Sequence, residues 1–279
     1  MYNISLDELP KYTPWVNRLL FEDIHYSKNP YEISREYNEE KWHDVKKYLM
    51  ENSQSTLEEI ISLGGGDTAG YIASQGGFCV GSMIEFYEKQ IEKYVDFIGK
   101  YWVEDSPLIE LGAGYGSMLL KLAKHFNPCG VYGLEYTDNG VWALSEFAKR
   151  CNIDIHMGKC DFFELSKEIQ LPANGVIFTS YSLMYVPELS SGFLDYILEM
   201  KPRVCINIEP CYEYYSTSSL HGALCKKYVE VNDYNRNLVE ILNSGEKDGR
   251  IEILEVEKNS FGENALSPAS FIAWKSNID

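Results

Sequence analysis

Apolar and polar positions alternate in two different rhythms along this chain, and the change between them falls near residue 105. Before it, the spacing is mostly helical. Residues 1–60 carry turn punctuation at Pro10, Pro14 and Pro30. In PYEISREYNEEKWHDVKKYLMEN, Pro30 suits a first helical turn, and Tyr37, Trp42, Val45 and Leu49 form an apolar stripe. From Met83 onward Ile84, Tyr87, Ile91, Tyr94, Val95, Ile98 and Trp102 recur at steps of three or four, which predicts a helix with one buried face. Between these segments SLGGGDTAGYIASQGGFCVGS (62–82) holds seven glycines and shows neither period, so it reads as a mobile loop.

Beyond Ser106-Pro107 the rhythm becomes strand, turn, helix, repeated. Strands are predicted at 107–112, 130–136, 153–158, 175–181 and 203–209, with helical segments near 116–127, 138–150, 161–169 and 187–201. Short β-branched runs separated by helices imply a parallel sheet covered on both faces. A longer helical region spans roughly 216–244. RIEILEVEKNSF and SPASFIAWKS, joined near Gly262, then predict an antiparallel hairpin added to the sheet edge. The expected organisation is a helical cap over 1–104 with a glycine-rich lid loop, followed by an α/β domain over 105–279.

Composition narrows the class. The 279 residues include 45% hydrophobic side chains, ample for a core. Forty-two acidic against 25 basic residues give a formal charge of −17, which opposes phosphate backbones and anionic lipid and leaves cationic or neutral ligands open. No nucleic-acid or membrane partner is expected. The seven cysteines contain no CxxC pair, so neither a disulfide framework nor a zinc site is suggested, and no metal is expected. With no signal-like apolar start, a reducing cytoplasm is the expected location.

The chemistry concentrates in LIELGAGYGSMLLKLAKHF (108–126). A glycine turn at a strand tip lets a ligand meet bare backbone, and the helix behind it offers free N–H groups. A dinucleotide fingerprint would place its last glycine at position 117, where this chain has Ser117. Glu110, two residues before Gly112, would repel a pyrophosphate and favour an ammonium or sulfonium. LIELGAGYG, with Gly112, Gly114 and Gly116, resembles the first motif of class I S-adenosylmethionine (SAM) dependent methyltransferases. The resemblance covers about 105–279. It implies a Rossmann-like, seven-stranded sheet with a terminal antiparallel hairpin, and SAM as cofactor.

Carried onto this chain, the resemblance implies that Glu135 accepts the ribose hydroxyls, Asp161 receives the adenine amino group and Phe162 covers the ring. Asp161 is equally read as a helix N-cap. The acceptor-facing turn of the family falls at TSYSLMYVPEL, without the Asn/Asp-Pro-Pro-aromatic signature of many amino-methylating enzymes. Ser180 and Tyr181 are its pocket residues.

INIEPCYEYY (206–215) places Glu209 and Glu213 among tyrosines including Tyr212, a possible clamp for a guanidinium, ammonium or amide. Asp233, in VNDYNRN, is a candidate peptide contact, or part of an exposed helix face. His221 is the best-placed histidine for a base, although a lone histidine is more often structural. With Glu209 and Tyr181 it completes the expected catalytic set.

The N-terminal segment and NSFGENALSPASFIAWKS also resemble, less specifically, methyltransferases of gene clusters for modified ribosomal peptides. The leading expectation is N-methylation of an Asn- or Arg-type side chain in a peptide. The rivals are O-methylation of a sugar or other small metabolite, a non-catalytic SAM-binding protein and, least supported, a nicotinamide-dependent oxidoreductase.

Overall fold

The computed structural model describes residues 1–63 and 65–277; Gly64, Ile278 and Asp279, which fall in the expected loop and at the end of the expected α/β domain, lie outside the described residues. The alternating strands and helices of the second half fold as their pattern predicts. The strands β4 (Leu108–Leu111), β5 (Val131–Glu135), β6 (His156–Asp161), β8 (Val176–Ser180) and β9 (Val204–Glu209) run parallel, in the spatial order β9-β8-β4-β5-β6. The chain thus leaves the centre at β4 in one direction and returns at β8 on the other side. Such a reversal opens a crevice beyond the carboxyl ends of the strands.

Each central strand is apolar on both sides, because helices cover both. Leu108, Val176, Phe178, Val204 and Ile206 face α5 (Met83–Gly99), α6 (Ser117–Phe126) and α7 (Asp138–Cys151). Ile109, Leu111, Leu134, Ile177 and Cys205 face α8 (Phe193–Leu198) and α10 (Leu238–Lys247). By strand alternation Glu110 shares the face of Leu108, under α6. Local chemistry sets the helix ends: Ser82 and Glu85 form a capping box at α5, Thr137 caps α7, and left-handed Asn127 and Asn152 end α6 and α7.

Several expectations are corrected. Among the described residues the sheet has eleven strands rather than seven, and β10 (Ile251–Gly262) and β11 (Ala269–Ser276), an antiparallel pair, are interior to it. β11 bonds to β9. β10 continues through β2 (Asp67–Ile72) and β3 (Gly77–Ser82) to the short β1 (Tyr2–Asn3). Residues 67–82 of the glycine-rich stretch therefore form a β-hairpin. Gly76 and Gly77, at φ +87° and +118°, turn it, and Gly70 lets it pack. A Cβ on Gly70 would stand 2.3 Å from the Phe86 ring and 2.6 Å from the Gly262 carbonyl. Glycine here serves close approach, which a periodicity count cannot distinguish from a loop.

The N-terminal part is consequently not helical alone. Its helices α1 (Trp15–Phe21), α2 (Pro30–Ile33), α3 (Trp42–Glu51) and α4 (Leu57–Ser62) accompany strands that extend the common sheet, and a π-helical stretch, Ser34–Lys41, joins α2 to α3. The expected helix at 161–169 is a turn followed by β7 (Ser166–Lys167), antiparallel to β6. Within 187–201 only α8 is α-helical, and the long helical region divides into α9 (Leu220–Val231) and α10. Among the described residues no helix is long and apolar enough to cross a membrane.

Candidate active site

At the tip of β4 the backbone turns through three left-handed glycines, with φ of +79° at Gly112, +54° at Gly114 and +82° at Gly116. Each position also lacks room. A Cβ on Gly112 would lie 2.3 Å from that of Ser182, one on Gly114 would lie 3.2 Å from the Trp42 ring, and one on Gly116 would lie 2.2 Å from Leu144. Gly116 packs α6 onto α7, whereas Gly112 and Gly114 border a cavity of about 560 Å³.

Two carboxylates enter this cavity from strand ends. Glu110 is 3% exposed, and its Oε2 has no hydrogen-bond partner among the described residues. Burial pushes its carboxyl well above the usual range, and Glu135 and Glu209 add repulsion. Glu135, at the end of β5, is better held: Oε1 accepts from the Thr137 N–H (3.2 Å) and hydroxyl (2.8 Å), and Oε2 from the Gly114 N–H (3.0 Å). Those donors limit the upward shift that burial imposes. Each oxygen has two lone pairs, so Oε2 retains capacity for another donor.

Further lining is supplied by the N-terminal segment, which the sequence reading expected to form a cap shaping the acceptor pocket. Tyr37, Trp42 and Val45, three members of the predicted stripe, line the cavity with Lys41. The Tyr37 hydroxyl bonds that of Tyr185, and Lys41 Nζ reaches Tyr37 (3.1 Å) and Glu36 (2.7 Å). Trp42 Nε1 is buried without an acceptor. Met83, Tyr87 and Gln90 of α5 line the cavity, as do Tyr115 and Glu263.

Of the predicted residues, Glu110, Gly112, Gly114, Glu135, Phe162, Ser180 and Tyr181 line the cavity together. The Ser180 hydroxyl and that of Tyr94 are 2.6 Å apart, and Tyr181, at φ +50°, donates to the Phe261 carbonyl (3.2 Å). Asp161 borders an adjoining depression, with Oδ1 accepting from the Phe163 (2.7 Å) and Glu164 (3.2 Å) N–H groups. It caps a turn, since the helix it was expected to start does not form.

The remaining predicted residues do not reach the cavity. Glu209 is held by the N–H groups of Ser182 and Leu183 (3.1 Å each) and Met184 (3.3 Å), and so fixes the turn after β8. Burial raises its pKa to about 7. Glu213 accepts from Val239 (3.0 Å) and Glu240 (3.3 Å) N–H groups and caps α10, so the pair forms no clamp. The Tyr212 hydroxyl donates to Glu230 at the surface (2.7 Å), and Asp233 accepts from the Lys28 N–H (3.1 Å) and from Arg236 (3.1 Å). His221 packs between Tyr71 and Phe78 with Nε2 2.7 Å from the Ala265 carbonyl. A carbonyl only accepts, so this nitrogen is a donor there and is not free to act as a base.

Neither a family model nor a curated protein matches the chain. Solved structures do match in fold. Magnesium protoporphyrin IX methyltransferase from Synechocystis PCC 6803, with bound SAH, superposes at TM-score 0.50, with 11% identity over 69% of this chain and 85% of that one. A geranyl diphosphate methyltransferase in complex with GPP and sinefungin gives TM-score 0.50 and 14% identity over 71% and 80%. A small-RNA methyltransferase gives TM-score 0.50 and 11% identity over 69% of this chain and 25% of that one. The chain thus has the Rossmann-like α/β fold of these methyltransferases.

Proposed function

We propose that this protein is a SAM-dependent methyltransferase that methylates a nitrogen of a polar side chain, of Asn or Arg type, in a peptide. The observation that carries the cofactor assignment is Glu110. It is a buried carboxylate with an oxygen unpartnered among the described residues, beside a turn that has no room for a Cβ at Gly112. Leaving such a group without a partner costs roughly 1–3 kcal/mol or more, and a positive charge in the adjoining cavity would offset part of that cost through its field. SAM fits this chemistry because it carries an ammonium and a sulfonium and no phosphate. Glu110 would face that positive charge, Glu135 would accept the ribose hydroxyls on Oε2, and Phe162 would cover the adenine, with Asp161 at its edge. Trp42 Nε1, a buried donor without an acceptor, suits the carboxylate of the same amino-acid tail.

When bound, the sulfonium supplies a methyl carbon already activated for displacement. The chain's part is orientation and exclusion of water, which are worth roughly 7–11 kcal/mol in favourable cases. The aromatic wall of Tyr37, Trp42, Tyr87 and Tyr115 suits both tasks. Three acids, Glu110, Glu135 and Glu263, line the cavity against one lysine, Lys41, which is already paired with Glu36. This balance favours a nitrogen acceptor rich in N–H donors and disfavours a phosphorylated one. A hydroxyl acceptor on a sugar or other small metabolite is the second reading, supported by neighbours whose names specify small molecules.

Isothermal titration with SAM, SAH and NADH tests the cofactor. Binding of the first two without the third is expected, and NADH binding alone would overturn the assignment. Mass spectrometry for the gain of one methylene, on a peptide pool and a metabolite pool, separates the two acceptor readings.

A further inference from the structure

The connection between β10 and β11 is pinned at nearly every polar point. The Ala265 N–H donates to the Ala69 carbonyl of β2 (3.0 Å), and the Ala265 carbonyl meets His221 Nε2 (2.7 Å). Asn264 donates to the Tyr228 hydroxyl (3.1 Å) and accepts from the Leu266 N–H (2.9 Å). Tyr215 holds the Pro268 carbonyl (2.8 Å), Tyr181 holds that of Phe261 (3.2 Å), and Ala265 and Leu266 are fully buried. On this fixed platform one side chain is different. Glu263 lines the cavity, half-buried, and makes no hydrogen bond or ion pair among the described residues.

We propose that Glu263 is the acceptor-recognition carboxylate, and that it selects a guanidinium over a neutral carboxamide or ureido group. This deepens the methyltransferase reading and rests on it. The cofactor assignment already uses Glu110 and Glu135, whose strand-end positions lie by the glycine turn. Glu263 instead enters on the connection between β10 and β11, a segment bonded to the β2–β3 hairpin. Its field acts on Tyr115 and Tyr181, so these rings and the carboxylate belong to one neighbourhood. A carboxylate offers two oxygens to the parallel N–H bonds of a guanidinium, and aromatic faces nearby receive the same delocalised cation.

Desolvation alone raises the Glu263 carboxyl above its ordinary range, so an arriving cation removes a cost that the ligand-free cavity carries. A carboxamide has no charge with which to do so. His221, expected from sequence to be a base, instead holds the Ala265 carbonyl and so positions Glu263.

The test uses three short peptides differing at one residue: arginine, its neutral isostere citrulline, and asparagine. Their affinities for the full-length protein are measured by calorimetry with SAH present. The arginine peptide is expected to bind at least about tenfold tighter than the citrulline peptide, as for a hydrogen-bonded charge pair. Glu263→Gln should collapse that ratio towards one, and Glu263→Asp should restore part of it. Glu252→Gln, at an exposed acid paired with Lys275, should leave the ratio unchanged, which separates recognition from the general −17 charge.

Equal binding of arginine and citrulline peptides, an arginine preference that survives Glu263→Gln, or no peptide binding at all would overturn the proposal. Unchanged SAH affinity in Glu263→Gln shows that the variant is folded. If arginine preference persists in a protein that binds neither SAM nor SAH, the cofactor reading fails and the Glu263 assignment stands. If SAM and SAH bind without that preference, only the Glu263 assignment fails.

Discussion

Glu110 places a charge where water cannot reach one of its oxygens. Replacing it by an apolar residue of similar size removes the unmet acceptor, so Glu110→Leu should stabilise the ligand-free protein by about 1–3 kcal/mol while weakening SAM binding at least tenfold, roughly. Thermal melts and calorimetry on the same sample check both halves, and a variant that is less stable and binds normally would contradict them. The pH dependence has a definite sign. Glu209 titrates near 7 in the fold against an ordinary 4.5, so the folded state binds its proton more tightly than the unfolded chain. Its contribution is fully present below pH 4.5 and is lost as pH rises through about 7. Glu110, Glu135, Glu213 and Glu263 shift in the same direction. The melting temperature of the ligand-free protein should therefore fall between about pH 5 and pH 8, as those carboxyls ionise. Bound SAM should flatten that slope by pairing with the ionised forms.

Elements put several of these residues to uses that their type alone does not announce. Glu213 satisfies two N–H groups at the start of α10, so Glu213→Ala should cost about 1 kcal/mol of stability and leave turnover per folded molecule unchanged. Loss of activity at full stability would instead return Glu213 to the acceptor site. The β2–β3 hairpin depends on Gly70. A methyl group there meets the Phe86 ring and the Gly262 carbonyl, so Gly70→Ala should destabilise by about 1–3 kcal/mol and disturb the adjoining platform of Glu263. Denaturant melts and peptide affinity read these effects separately. The sequence expectation of a mobile loop failed here because glycine density signals turns, close approach and flexibility alike. The expectation of α6 and α7 held to within a residue at either end, because an apolar face, a capping threonine and left-handed asparagines all act within a few positions.

At the scale of the molecule, the cavity joins two parts of the chain: it is lined by the glycine turn and Glu135 of β5 and by residues between Tyr37 and Gln90. A ligand bound there ties both together. SAM at about a hundred times its dissociation constant should raise stability by about 2.7 kcal/mol, seen as a melting shift of several degrees, with none from NADH. Trp42→Phe, which removes the unpartnered Nε1 donor together with part of the ring packed against Tyr37 and Tyr115, should reduce that shift and lower ligand-free stability by about 1 kcal/mol.

By itself the sequence determined the alternation of strands and helices after residue 105, the glycine turn at the tip of β4, and the acids Glu110 and Glu135 at strand ends. Those features follow from periodicity and from backbone conformations that only certain residues adopt, and both are local. Only the tertiary structure decided that Glu209, Glu213 and His221 brace the backbone, that Tyr37 and Trp42 line the cavity, and that Glu263 stands in it without a partner among the described residues. The role of a polar side chain depends on which donors and charges surround it. For these residues the neighbours come from segments dozens to more than a hundred positions away, where pattern along the chain carries no information about contact.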